Sequence, residues 1–224
     1  MHRAPRLRRT HAERSAATRA RVLAAAAEIV RTKSFRAATI FEVAKVAGIT
    51  PGAVQHHFGS KAELMIKLLD HALSAGNEDS ATRAWPTAAD PLAERAQHFI
   101  EALWTNLYEP PRFLVAWGIY FGTAGDAATL QRVADMRARP RAILQQRFID
   151  TFPELVGTPD LEAFIDLVLS SLRGLGVARL FGPSQTDTAQ LRALAAILEQ
   201  RCFRNAGSPE RKPSAVRRPG RRSS

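Results

Sequence analysis

Residues 39–63 read TIFEVAKVAGITPGAVQHHFGSKAE, and the punctuation of this stretch decides the fold. Thr39, with Glu42 three residues on, has the pattern of a capping box that opens a helix. Val43, Ala44 and Ala47 place small apolar groups on one face, and Gly48 ends the helix where a left-handed residue is needed. Thr50 caps the next helix, with Pro51 at its first position, where a missing amide hydrogen costs nothing. Ser60 with Glu63 repeats the capping-box pattern, so a third helix starts shortly after Phe58. Two short helices about a turn of roughly four residues make a helix-turn-helix, whose second helix fits a DNA major groove. The plain alternative is a pair of alanine-rich core helices. Against it, Gln55, His56 and His57 stand consecutively, an awkward set to bury in a small core. The turn Pro51-Gly52-Ala53 is almost bare of side chains and permits close approach of the backbone to a partner.

Thr39, Val43-Ala44, Ala47-Gly48-Ile49-Thr50, Gly52, Val54, His57-Phe58, Ser60-Lys61 and Leu64 follow one another without a gap. Over residues 18–67 this order resembles the DNA-binding domain of the TetR (tetracycline repressor) family of bacterial transcription regulators. Two positions depart from the family pattern. Gln55 stands where the family usually has Tyr, which removes a customary phosphate contact, and Ser34 replaces the usual Gly at the end of the first helix. The resemblance implies that Thr39 and Lys61 sit at helix starts that face phosphates, where helix amides favour anions. It implies further that Thr50 caps the recognition helix, that Pro51, Gly52 and Gln55 face base edges with His56 nearby, and that His57 meets a phosphate. Val54 and Phe58 are expected in the core. Gln55 is the candidate for direct readout, because Gln pairs bidentately with adenine.

Charge placement agrees with a DNA partner. The chain of 224 residues carries a formal +11, yet unevenly. Residues 1–21 hold seven Arg against Glu13, and residues 204–224 hold six Arg and Lys212 against Glu210. Residues 68–203 hold twelve bases against sixteen acids, so the body is mildly acidic and the basic flanks suit phosphates. The expected organisation is a basic arm over 1–14, a helix-turn-helix domain over 15–67, a helical effector-binding and dimerisation domain over 68–204, and a basic, disordered tail over 205–224. The lone Cys202 rules out an internal disulfide and fits a reducing cytosol. Arg8-Arg9 before the apolar run Val22–Val30 faintly imitates an export signal, but intervening arginines and Glu28 spoil it. No apolar run reaches about 18 residues, so no membrane span is expected and the protein reads as cytoplasmic.

The remainder reads as all-α. Helices are expected over Ser60 to about Ala75, Pro91–Tyr108, Arg112–Thr123, Asp126–Phe152 with a kink caused by Pro140, Leu161–Phe181 and Thr188–Arg204. The stripes Leu161, Phe164, Ile165, Val168, Leu172, Leu175 and Leu191, Leu194, Ile197, Leu198, Arg201 are expected to meet a second subunit, with Ser170, Ser171, Gly174 and Gly176 admitting its backbone. The resemblance implies a four-helix bundle there, and one helix-turn-helix reads only half of a palindrome, so a homodimer is expected. The aromatic residues Phe99, Trp104, Tyr108, Phe113, Trp117, Tyr120, Phe121 and Phe148 serve a helical core by default, but their polar edges also suit a ligand cavity. The ligand candidates are Trp104, Tyr108, Trp117, Tyr120, Phe121 and Phe148. By resemblance, a small, largely apolar effector binds there and moves the DNA-binding heads apart, releasing a repressor from its operator. No metal-spaced His or Cys cluster, phosphate loop or nucleophile motif stands out, so neither an enzyme nor a cofactor is expected. The competing reading is an effector-independent DNA architectural protein, which predicts weak sequence preference and no cavity.

Overall fold

The computed structural model describes residues 10–82, 85–109 and 111–206, with the backbone alone over 74–82. The arm over residues 1–9 and the tail over 207–224 lie outside the described residues. Helix α1, His11–Thr32, begins inside the expected arm, and the reason is local. The Thr10 hydroxyl accepts the Glu13 amide at 3.2 Å while the Thr10 amide donates to the Glu13 carboxylate at 2.7 Å, a complete capping box. The expected boxes at Thr39 and Ser60 are only half made. Both hydroxyls accept the amide three residues on, but the carboxylate of Glu42 turns to Lys33 Nζ at 2.5 Å and that of Glu63 to Arg132.

Helices α2 (Ile40–Ala47) and α3 (Pro51–Phe58) make the helix-turn-helix. Gly48 between them adopts φ 65° and ψ 40°, the left-handed cap that only glycine takes at no steric cost. Ser34 introduces no such conformation: its hydroxyl accepts the Ala37 amide at 3.1 Å, so the turn after α1 is closed by a side chain instead. Helix α4 runs Lys61–Thr82, longer than its apolar pattern suggested. Val54, fully buried, and Phe58 lock α3 onto Val43, Ala44 and Ala47 of α2 and onto Val22, Ala26 and Ile29 of α1. Truncating a buried Phe of this kind costs about 3–5 kcal/mol.

The same core continues into the body. Leu64, Met65, Leu68 and Leu69 of α4 pack with Val115, Ala116 and Ile119 of α6 (Pro111–Thr123) and with Val133 of α7 (Ala127–Thr151). A Cβ on Gly122 of α6 would lie 2.1 Å from the Phe35 ring, and one on Gly118 would lie 2.8 Å from Val30. Two glycines thus bring α6 against the helix-turn-helix head. Head and body share one apolar core.

A second core fills the body. Helix α5 (Leu92–Leu103) passes directly into a π turn, Trp104–Tyr108, closed by the Glu109 amide on the Trp104 carbonyl at 2.9 Å. The wider turn buries Trp104, Asn106 and Tyr108 together. Phe99, Phe148 and Phe152 form a knot of edge-on and tilted rings with centroids 5.1–5.4 Å apart. Helix α7 continues through Pro140 as one helix. Helices α8 (Leu161–Ala178) and α9 (Asp187–Ala206) complete the body, and α9 absorbs Asn205 and Ala206 from the expected tail. Arg95, 2% exposed, reaches the Glu154 carboxylate and the Ala88 carbonyl, which ties α5 to the loop after α7.

The expected partner-facing stripes are corrected by the packing. Ile165, Val168, Leu172, Leu194 and Leu198 are buried in the protomer's own core. Gly176 is occupied too: a Cβ there would sit 2.5 Å from the Phe113 ring. The face left open on α8 is Ala163, Leu167, Ser170, Gly174 and Ala178, and on α9 it is Ala189, Ala193, Ala196, Ile197 and Gln200. Leu167 is 60% exposed and Ile197 51% exposed.

Candidate nucleic-acid interface and body cavity

The first turn of α3 is a bare platform. The Thr50 hydroxyl accepts the Ala53 amide at 3.2 Å, which fixes the start of the helix. Gly52 is exposed, and a Cβ built on it would meet nothing within 4 Å, so no internal packing demands glycine there. Gln55 and His56 are exposed beside it, while Pro51 and His57 are half-buried. The two imidazoles lie edge-on at 5.5 Å. Thr39 is exposed at the start of α2, its hydroxyl accepting the Glu42 amide at 3.1 Å.

Lys61 has a different role from the one its position suggests. Its ammonium donates to the carbonyls of Phe35 at 2.7 Å and Arg36 at 3.2 Å and lies 4.5 Å from the Phe35 ring centroid. Burial holds its pKa below the usual lysine value. It pins the start of α4 to the loop between α1 and α2. Arg36 and Lys45 are exposed on the head and have no ion-pair partner among the described residues. Sequence reasoning passed over both, although simple pairing of the head's charges would have singled them out: Arg31 is taken by Glu28 and Lys33 by Glu42.

The body holds a cavity of about 640 Å³ between α4, α6, α7 and α8. Of the ligand candidates, Tyr108, Trp117 and Tyr120 line it. The other three do not. Trp104 is core, with the Arg179 guanidinium 5.6 Å from its ring; Phe148 is 1% exposed in the aromatic knot; Phe121 is 64% exposed and leans on Trp117 at 5.2 Å. Six of the eight aromatics therefore form two groups, Phe99 and Phe148 in a packed knot and four more in a wall, while Trp104 and Phe121 stand apart. The wall runs Tyr108, Phe113, Trp117, Tyr120, each ring edge-on to the next at 5.3–6.2 Å.

Sequence reasoning missed the polar part of this wall, namely Arg112, Arg137, Arg141 and Arg173. The Arg137 guanidinium lies 5.1 Å from the Tyr120 ring centroid. Arg141 is held by Asp166 at 2.7 Å and Glu162 at 3.2 Å, and Arg112 donates to the Asn106 carbonyl at 2.5 Å. Burial pushes the Tyr108 phenol up to about 12 against the opposing pull of Arg173 and Arg137, and burial raises Tyr120 as well. Both therefore stay protonated near neutrality and serve as donors. Arg173 carried a signal, being the lone charge in the apolar run of α8; Arg137 is one of several arginines along α7 and carried none. Cys202 is fully buried, and burial pushes its thiol up to about 12, so it offers no nucleophile. Among the described residues, no helix is long and apolar enough to cross a membrane, and no three His, Cys, Asp or Glu gather as metal ligands.

An exposed helix-turn-helix on a helical body defines a DNA-binding regulator. Residues 22–68 match the model of the bacterial regulatory proteins of the tetR family. The chain is 25% identical over 175 residues to the HTH-type transcriptional regulator CymR of Pseudomonas putida, covering 78% of this chain and 85% of that one. Its fold superposes on a transcriptional regulator from Rhodococcus sp. Rha1 with a TM-score of 0.64 at 21% identity, over 83% of this chain and 96% of the other. It also superposes on the multidrug binding protein EbrR in complex with ethidium, with a TM-score of 0.58 at 21% identity, over 81% and 97% of the two chains. The chain is thus similar to transcriptional regulators: in its head to the bacterial regulatory proteins of the tetR family, and over most of its length to CymR.

Proposed function

We propose that the protein is a homodimeric repressor that binds a palindromic operator through α3 and is released by a small molecule bound in the body cavity. The observation that carries this reading is the shared core. The helix that begins beside the DNA face, α4, packs on α6 and α7, and these same helices wall the cavity. A ligand that favours one packing of these helices shifts the heads by its differential affinity for the two states. EbrR, which has the same fold, binds ethidium, and this supports a body able to take small molecules. In the recognition helix Gly52, Gln55 and His56 meet base edges, with Thr39, Thr50, Pro51 and His57 alongside. Arg36 and Lys45 take the phosphate role in place of Lys61. The open faces of α8 and α9 fit a second copy, because small residues admit close backbone approach and an exposed Leu167 and Ile197 gain by burial. The cavity and the family both count against an architectural protein without an effector.

The test is footprinting on the DNA that flanks the protein's own gene, together with sedimentation. A dimer protecting two half-sites about 34 Å apart is expected, with affinity far above that for random DNA. Equal affinity for random DNA, or a monomer on the operator, overturns the reading.

A further inference from the structure

The cavity is furnished for a charge, not only for an apolar body. Four arginines line it against a single carboxylate, Asp166, and that carboxylate is already held by Arg141. Arg137 from α7 and Arg173 from α8 both line it, and the charges of both act on Tyr108 and Tyr120. Among the described residues neither has a carboxylate partner. The positive charge of Arg173 acts on the Tyr108 phenol, its Nη1 donating to the Ser170 hydroxyl at 3.5 Å, and Arg137 covers the Tyr120 ring. Two guanidiniums and two phenol donors thus face one space otherwise walled by Phe113, Trp117, Leu144 and Leu169. Like charges gathered at an apolar wall repel one another and lack a counter-charge, a cost that an anion relieves. A guanidinium matches a planar carboxylate with two parallel N–H donors.

We propose that the cavity binds an organic carboxylate, its head held by Arg137 and Arg173 with the hydroxyls of Tyr108 and Tyr120, and its apolar body against Trp117 and Phe113. Cations are discriminated against by charge. This assignment rests on the effector reading above and names the chemistry of the effector. A carboxylate that draws Arg137 and Arg173 together draws α7 and α8 together, and α7 is bonded to α4 through Arg132 and Glu63 at 2.6 Å. Ligand entry therefore acts on the helix that carries the DNA-binding head.

The experiment is calorimetric titration of the full chain with 2-naphthoate and decanoate, each beside its neutral amide and its matched ammonium. The expected result is that a carboxylate binds about tenfold or more tightly than its amide. Its affinity falls with added salt while that of the amide does not. The two bodies, aromatic and aliphatic, decide which shape the apolar wall prefers. Arg137→Gln and Arg173→Gln each remove about tenfold from carboxylate affinity and leave the amide unchanged, with melting temperature and operator affinity as controls for folding. If a variant does not fold, the salt dependence of the unaltered chain still decides. Equal or tighter binding of amide or ammonium, or no binding by any of the six probes, overturns the assignment. Carboxylate binding that leaves operator affinity unchanged keeps the site but overturns its role as effector; release of operator by the amide or ammonium keeps effector control but overturns the anion.

Discussion

At the scale of single residues, the head separates side chains that read from side chains that hold. Gln55 is exposed on a platform with nothing else to do. Gln55→Ala is expected to weaken operator binding by about 1–3 kcal/mol and to relax preference at one base pair per half-site, as measured by footprint titration on operator variants. An unchanged base preference would remove Gln55 from the readout. Lys61 behaves oppositely. Its charge is spent on two carbonyls inside the head, so Lys61→Met is expected to lower stability by about 1–2 kcal/mol while leaving the salt slope of DNA binding unchanged. Arg36→Ala or Lys45→Ala should do the reverse, flattening the salt slope by about one each with little effect on melting. A flattened slope for Lys61→Met alone would return it to the DNA face. Position beside the recognition helix made Lys61 look like a phosphate ligand. What sequence does not carry is the direction of a flexible stem, and here two carbonyls of the turn after α1 capture it.

At the scale of helices, the order and most boundaries were legible because glycine, proline and cap residues mark each end with a mechanism. Gly48, Thr50 and Pro51 define the turn, and the structure adds only its angles. The π turn at Trp104–Tyr108 was not legible, because one extra residue per turn leaves the apolar spacing close to helical. The inward face of α8 was not legible either. Ile165, Val168 and Leu172 make one apolar stripe, and Ala163, Leu167, Gly174 and Ala178 make another, so amphipathicity does not choose between them. The contrast gives a sharp prediction. Leu172→Glu places a carboxylate in the protomer's core and is expected to cost about 4 kcal/mol or more, unfolding the chain. Leu167→Glu should leave the fold intact, dissociate the proposed dimer in sedimentation, and lower operator affinity with it. A Leu167→Glu dimer of wild-type stability would move the interface elsewhere. For the cavity, the rings were legible as a class but not as a place. Phe148 and Trp104 have the same composition cues as Trp117, and only packing sends the first two into the buried core of the body.

At the scale of the molecule, two local ties add to the shared apolar core in joining the cavity helices to the head, and one of them can be cut without disturbing that core. The first is Phe35, held between the Lys61 ammonium and the bare backbone at Gly122 of α6. The second is the bidentate pair of Arg132 on α7 with Glu63 in the first turn of α4, at 2.6 and 3.1 Å. Hydrogen bonding to Arg132 holds the Glu63 carboxyl below its ordinary 4.5. A carboxyl whose folded pKa is depressed stabilises the fold fully above its unfolded value, and that contribution fades as pH falls through the folded value. Any small advantage of wild type over Glu63→Gln should therefore fade progressively as pH falls below about 4.5. The pair is solvent-exposed on both sides, so its loss at neutral pH is expected to change melting little. Coupling is another matter. Arg132 lies on the same helix as Arg137 of the cavity, so the pair transmits any movement of α7 to the start of α4. Glu63→Gln is expected to keep ligand affinity and ligand-free operator affinity while shrinking the factor by which each weakens the other. That factor is commonly about 5–150-fold, and linkage requires it to shrink equally whether read from the ligand or from the DNA. Paired titrations of ligand with and without operator measure it from both sides. An undiminished factor in Glu63→Gln would leave Phe35 and Gly122 as the tie that carries the signal, and Gly122→Ala, which displaces the Phe35 ring, as the variant that breaks it.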